Sequence, residues 1–185
     1  LESNRVFPTE TPYAINKLTA EMYFTYYSHL YNLPTANLRI FNTYGPYELA
    51  HKYRNVIPNF IEKALRGESL TITGNGDETR DFTYVDDTVD LILRIMWSDV
   101  GNGELFNGGT GTSTSIRHLA ELINKITENP SEIIYLPRRN WDGVTDRVSV
   151  IDRSNEFFGY NPSIAIEYGL KSTVDWYKGN MNEQR

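Results

Sequence analysis

Two periodicities alternate along this chain, and that alternation limits its fold more than any other feature. Compact apolar runs at ANLRIF (36–41), SLTIT (69–73), DFTYV (81–85), GELFNGG (103–109) and EIIYL (132–136) read as strands. Stretches with apolar residues at helical spacing lie between them: Tyr13 to Tyr31, Val56 to Arg66, a helix reaching Trp97, and another ending near Thr127. A short helical piece surrounds Asn155–Phe158, and a last helix covers about Ile164–Tyr177. Strands that alternate with helices bury both faces of a sheet, so the pattern predicts an α/β layered architecture.

The boundaries carry their own chemistry. Thr11-Pro12 is a helix start, a hydroxyl cap followed by proline in the first turn. The first helix must end before Pro34, and Gly67 stops the second. Asp86 or Asp87 is expected to cap the third helix, and Ser113 or Thr114 the fourth. TYGPYE (43–48) and GNGD (74–77) are turn sequences. Tyr44 and Tyr47 read as packing and turn residues, and Asp152 as a turn or cap.

Composition removes several functions. The chain has 185 residues, 39% hydrophobic and 23% charged, as in globular proteins. It has no cysteine, which excludes disulfides and thiolate metal sites. Its three histidines, at 29, 51 and 118, lack metal-ligand spacing. A net charge of −6 argues against a nucleic-acid-binding face, although a few local arginines still suffice for an anionic small ligand. No apolar run approaches the roughly 20 residues of a membrane helix, and LESNRVFPTE (1–10) lacks the signature of a signal peptide. The expectation is a cytoplasmic protein. The abrupt polar opening, with no strand before the first helix, suggests a cut piece or a natural truncation.

Neither glycine-rich stretch, GNGDETR (74–80) nor NGGTGTS (107–113), matches the dinucleotide fingerprint or a Walker loop, so both read as turns. Tyr13-Ala-Ile-Asn-Lys17 sets a phenol and an ammonium on one helical face. A neighbouring cation favours phenolate, and a phenolate can take a proton from a substrate hydroxyl. In a chain with 13 tyrosines, such a pair alone reads equally well as an amphipathic helix surface.

The pair does not stand alone. YxxxK is followed by RIFNTYGPY (39–47), NVIP (55–58), SLTITGNGDETRDFTYVDD (69–87), FNGG (106–109) and DRVSVID (146–152). This order resembles the extended short-chain dehydrogenase/reductases, above all the sugar-nucleotide 4,6-dehydratases and 4-epimerases, from about residue 8 to 178. The resemblance implies an α/β fold: the carboxy-terminal portion of an NAD(P)-binding Rossmann-type fold with its substrate-binding subdomain, the amino-terminal dinucleotide-binding half missing. Residues 1–45 would be the tail of the Rossmann-type domain. Residues 46–185 would be mainly the substrate-binding subdomain, with segments returning to the sheet.

The resemblance also implies roles. Tyr13 would be the general base, with Lys17 its electrostatic partner, and both would bind NAD beside Phe41. Asn42, Asn55, Arg80 and Arg147 would hold a nucleoside-diphosphate sugar, since a guanidinium fork suits phosphate oxygens. Thr71 and Thr73 lie on the strand that frames the nucleobase. Relatives often carry an aromatic at the second position, and a threonine cannot stack there, so the base stays open. Arg39 is expected to pair with an acid, and Arg138 and Arg139 to lie in a solvated loop or reach a phosphate. The cluster Tyr23, Phe24, Tyr26 and Tyr27 exceeds one core stripe, and the family resemblance implies a homodimer through this helix. The activity implied is a lyase or isomerase reaction through a 4-keto sugar. The alternatives are a nucleotide-sugar-binding fragment without turnover and a non-catalytic oligomerising homologue.

Overall fold

The structure, a computed structural model, describes residues 11–51, 55–138 and 145–183. Helix α1 (Pro12–Tyr31) starts where cap and proline coincide: Thr11 Oγ1 accepts the Ala14 amide at 3.2 Å. It ends at Asn32, whose left-handed backbone closes the last turn. Next come β1 (Asn37–Ile40), β2 (Thr43–Tyr44), α2 (Val56–Leu65), β3 (Leu70–Thr73), β4 (Thr79–Arg80) and β5 (Thr83–Tyr84). Then follow α3 (Val85–Met96), β6 (Leu105–Gly108), β7 (Thr114–Ser115) and α4 (Ile116–Thr127). The chain closes with β8 (Ile133–Leu136), β9 (Asp146–Arg147), α5 (Asp152–Phe158) and α6 (Ile166–Glu183).

Strands distant in sequence pair in parallel: β1 with β6, β2 with β5, and β3 with β8. Parallel pairs need crossover connections, and helices supply them. Strand β4 lies between antiparallel β7 and parallel β9. Two apolar clusters result. In the larger, α2, α4 and α6 pack over β3, with Ile57, Ile61, Leu70, Ile72, Leu119, Ile123, Leu170 and Val174 almost wholly buried. The smaller joins Leu91 of α3, Phe106 of β6, Phe158 of α5 and Tyr160, with Ala36 and Leu38 against it. Residues after 85 thus return to pack beside β1.

Three sequence expectations change. DFTYV is not one strand: only Thr83–Tyr84 pairs, and α3 begins at Val85. Tyr84 holds the N-cap position of α3 without a side-chain cap, so neither Asp86 nor Asp87 caps it. Asp87 is buried and turns the other way, accepting the Ser163 and Ile164 amides at 3.1 Å each. The cap of α4 is Ser115, whose Oγ accepts the His118 amide at 3.1 Å; Ser113 and Thr114 precede it. The reason is that β7 pairs with β4 and carries the chain further before the helix can start. Tyr44 is buried as expected, while Tyr47 is exposed with φ 71°, its ring 5.2 Å from that of Trp176.

Candidate functional site

The ends of the parallel strands converge on Asp81. Its carboxylate is fully buried and accepts hydrogen bonds from two segments, residues 110–111 and Ser149. Oδ1 takes the Thr110 amide and hydroxyl at 2.8 and 2.7 Å. Oδ2 takes the Gly111 amide at 3.0 Å, the Ser149 amide at 3.1 Å and the Ser149 hydroxyl. A buried carboxylate has to be compensated in this way, because an unpaired one is costly. The cluster is tight enough that a Cβ on Gly109 would overlap the Ser149 hydroxyl and the Asp81 carboxylate. The Asp81 backbone is used as well: its carbonyl accepts the Asn42 side-chain amide at 3.0 Å, and its amide donates to the Arg147 carbonyl at 3.0 Å.

This arrangement sets two arginines side by side. Arg80 and Arg147 are register partners on parallel β4 and β9, so their side chains leave the same face. Arg80 is half-buried, and its Nη1 donates to the Thr79 and Thr145 carbonyls at 2.7 and 3.2 Å. Arg147 is exposed. Like charges opposite each other weaken a sheet, whereas a diphosphate between them would turn the repulsion into attraction. Of the four residues expected to hold the diphosphate, ribose or sugar, Asn42, Arg80 and Arg147 are thus gathered about one residue. Asn55 stands elsewhere, at the start of α2, with its amide on Glu48 Oε1 at 2.9 Å.

Thr71 and Thr73 point away from the core side of β3, where Leu70 and Ile72 are buried. Arg138 reaches Glu78 at 3.8 Å, and Arg139 lies outside the described residues. Arg39 has the acid partner expected of it: Nε and Nη2 grip both Glu21 oxygens at 2.8 and 2.7 Å. That grip, a hydrogen bond reinforced by charge, holds the Glu21 carboxyl below its ordinary range and raises Arg39, with partial burial opposing both.

Tyr13 and Lys17 share one face of α1, with Lys17 Nζ 5.5 Å from the Tyr13 ring centre. They line a groove of about 350 Å³ together with Ala20, Phe24 and residues 36–40 of β1 and its approach. Phe41 follows, half-buried, its amide on the Gly108 carbonyl at 2.9 Å. A hydroxyl and an ammonium on the wall of a groove beside a parallel strand fit the nicotinamide-ribose side of NAD. Tyr13 is 71% exposed, and α1 buries none of its side chains against the described residues. Among the described residues no group of His, Asp and Glu could hold a metal, and no helix is long and apolar enough to cross a membrane.

Sequence reasoning missed Asp81 and Ser149. Asp81 did give a signal, as the one charged residue heading an otherwise apolar run, a position that needs donors if it is buried. Ser149 gave none.

An α/β chain of parallel crossover pairs with YxxxK beside its first strand is similar to the Rossmann-type short-chain dehydrogenases/reductases. The NAD dependent epimerase/dehydratase family model matches residues 1–109, and the chain belongs to that family, whose cofactor is NAD. It is 34% identical over 176 residues to the UDP-N-acetyl-alpha-D-glucosaminuronate decarboxylase of Bacillus cytotoxicus, covering 92% of this chain and 54% of the relative. An epimerase from Methanothermobacter thermautotrophicus superposes with a TM-score of 0.92 at 39% identity, covering 99% of this chain and 55% of that one. The UDP-glucose 4-epimerase of Thermotoga maritima, solved with UDP-glucose, gives 0.88 at 35% identity, covering 96% and 59%. The chain spans about half the length of the relatives it matches.

Proposed function

We propose that this chain supplies the sugar-nucleotide platform and the catalytic tyrosine of an NAD-dependent enzyme working through a 4-keto sugar. The observation that carries this reading is the register pairing of Arg80 with Arg147, both tied through Asp81 to Asn42. Those three residues would hold the diphosphate. Asn55 would reach the nucleotide or sugar by releasing Glu48, and Thr71 and Thr73 would line the base. Tyr13, with the Lys17 ammonium beside it on the same face of α1, would take the proton of the sugar 4-hydroxyl. Tyr13, Lys17 and Phe41 would hold NAD, which when bound would supply a hydride acceptor and donor at C4. The groove lined by Tyr13, Lys17 and β1 would take the nicotinamide-ribose side of NAD. The step after C4 oxidation, a 4,6-dehydration, a 4-epimerisation or a decarboxylation, divides the family.

The exposed aromatics of α1 support a second contact, a homodimer through this helix. Tyr23 is 61% exposed, and Tyr26, Tyr27 and Tyr31 form an aromatic array with centroids 5.4–6.2 Å apart on the same surface. We assign α1 and β1, with β6, α3 and α5 returning beside them, to the Rossmann-type domain, and the larger cluster to the substrate subdomain. Titration of the chain with UDP and dTDP by calorimetry tests the central reading. Binding of either is the expected result, and binding of neither removes it.

A further inference from the structure

Strand β9 is two residues long, and so is its partner segment in β4. Pairing that short is marginal by itself, yet it must hold an exposed arginine in register beside another. Beyond the two register pairs, the bonds from β4 to this segment are few: Thr79 N to the Thr145 carbonyl at 2.9 Å, Asp81 N to the Arg147 carbonyl at 3.0 Å, Arg80 Nη1 to the Thr145 carbonyl at 3.2 Å, and Thr79 Oγ1 to Asp146 Oδ1 at 2.7 Å. Two residues beyond Arg147, Ser149 turns inward, is buried, and donates both its amide and its hydroxyl to Asp81 Oδ2. The other Asp81 oxygen is held by Thr110. A carboxylate has only acceptor positions, which suits this shell of donors, whereas an amide would aim two N–H groups at them.

We infer that Asp81 is the positioning residue of the diphosphate clamp: through Ser149 it fixes the register of β9 and so the place of the Arg147 guanidinium. This rests on the nucleotide-binding reading above, and it adds the residue that sets the geometry. Asp81 does not touch the ligand. It acts through Arg147 on the β9 side and is braced by Thr110 on the other side. The two sides make different predictions, because loosening the brace removes stability without moving the arginine.

The experiment compares Ser149→Ala with Thr110→Val, each of which deletes one hydroxyl donor to the same carboxylate. It avoids Asp81→Asn, which risks unfolding. The readouts are amide hydrogen exchange in the free chain, the thermal midpoint and the dissociation constant for UDP. Ser149→Ala is expected to speed exchange across residues 145–149 and to weaken UDP several-fold, up to about tenfold, the scale of one lost charged hydrogen bond. It should have no further effect in an Arg147→Ala background. Thr110→Val should lower the midpoint with UDP affinity unchanged. Equal exchange at 145–149 in both variants overturns the proposal, as does a loss from Ser149→Ala that adds fully to that of Arg147→Ala. If Ser149→Ala loosens residues 145–149 while the unsubstituted chain fails to bind UDP, the positioning of β9 stands and the nucleotide reading falls.

Discussion

Around Asp81, donors from Thr110, Gly111 and Ser149 close on a carboxylate with no exposed surface, whereas across the molecule α1 presents Tyr13, Met22, Tyr23, Phe24 and Tyr26 more than half exposed. Both regions bear expected functional residues, and both come from motifs of the same family. The binding side is held by its own buried polar network, since a fully satisfied network rigidifies what it joins. The proposed catalytic side is a helix tied to the rest mainly by the Arg39–Glu21 pair, with most of its large apolar side chains exposed among the described residues. The proposed ligand platform is thus braced by a buried network, and the proposed proton-transfer pair is presented on a surface.

The contrast is open to attack at several points. The largest effect should come from Tyr13→Phe in an enzyme that contains this chain: kcat should fall by about 10²–10⁴-fold, the share of a general base, with UDP affinity unchanged by calorimetry. A parallel loss of affinity would place Tyr13 in binding instead. Next comes stability. Ile61→Ala, at a wholly buried site in α2, should cost about 2–5 kcal/mol by denaturant titration. Tyr26→Ser on α1 should cost no more than about 0.5 kcal/mol in the monomer. Comparable losses would mean that α1 is buried after all.

A smaller effect is expected at the clamp, where Arg147→Ala should weaken UDP by about 1–3 kcal/mol, read by calorimetry; an unchanged affinity would remove Arg147 from the site. The smallest lies at Arg39–Glu21, half exposed on the arginine side. Glu21→Gln should cost about 0.2–1 kcal/mol, as exposed pairs do. Because folding lowers the Glu21 pKa, its contribution is present above the unfolded carboxylate range and fades as pH falls through the folded value. The wild type and the variant should therefore converge in stability at acid pH, and a gap that stayed constant would deny the ion pair.

What the sequence revealed of this contrast followed from the range of the interactions. Helix α1 was legible almost to the residue, because Thr11, Pro12 and Pro34 act locally. The four-residue strands were legible from their apolar runs. Strands β2, β4, β7 and β9 were not, because a two-residue strand exists only through a partner far along the chain. The same reason moved the cap of α4 to Ser115 and sent Asp87 to the backbone at 163–164. At the site, motif order marked out Arg80 and Arg147, but their pairing, and the acid that arranges it, depend on contacts that no local pattern encodes.

The span of those contacts bears on how the protein is made. Asp81 and Ser149 are separated by 68 residues, and a non-local closure of that kind is entropically late. As the chain leaves the ribosome, α1, β1 and α2 can form before residue 149 exists. The tyrosine-bearing helix is thus an early product of synthesis, whereas the Arg80–Arg147 pairing is a late one. A nascent chain stalled before β9 would hold Tyr13 and Lys17 on their helix while Arg80 still lacked its register partner.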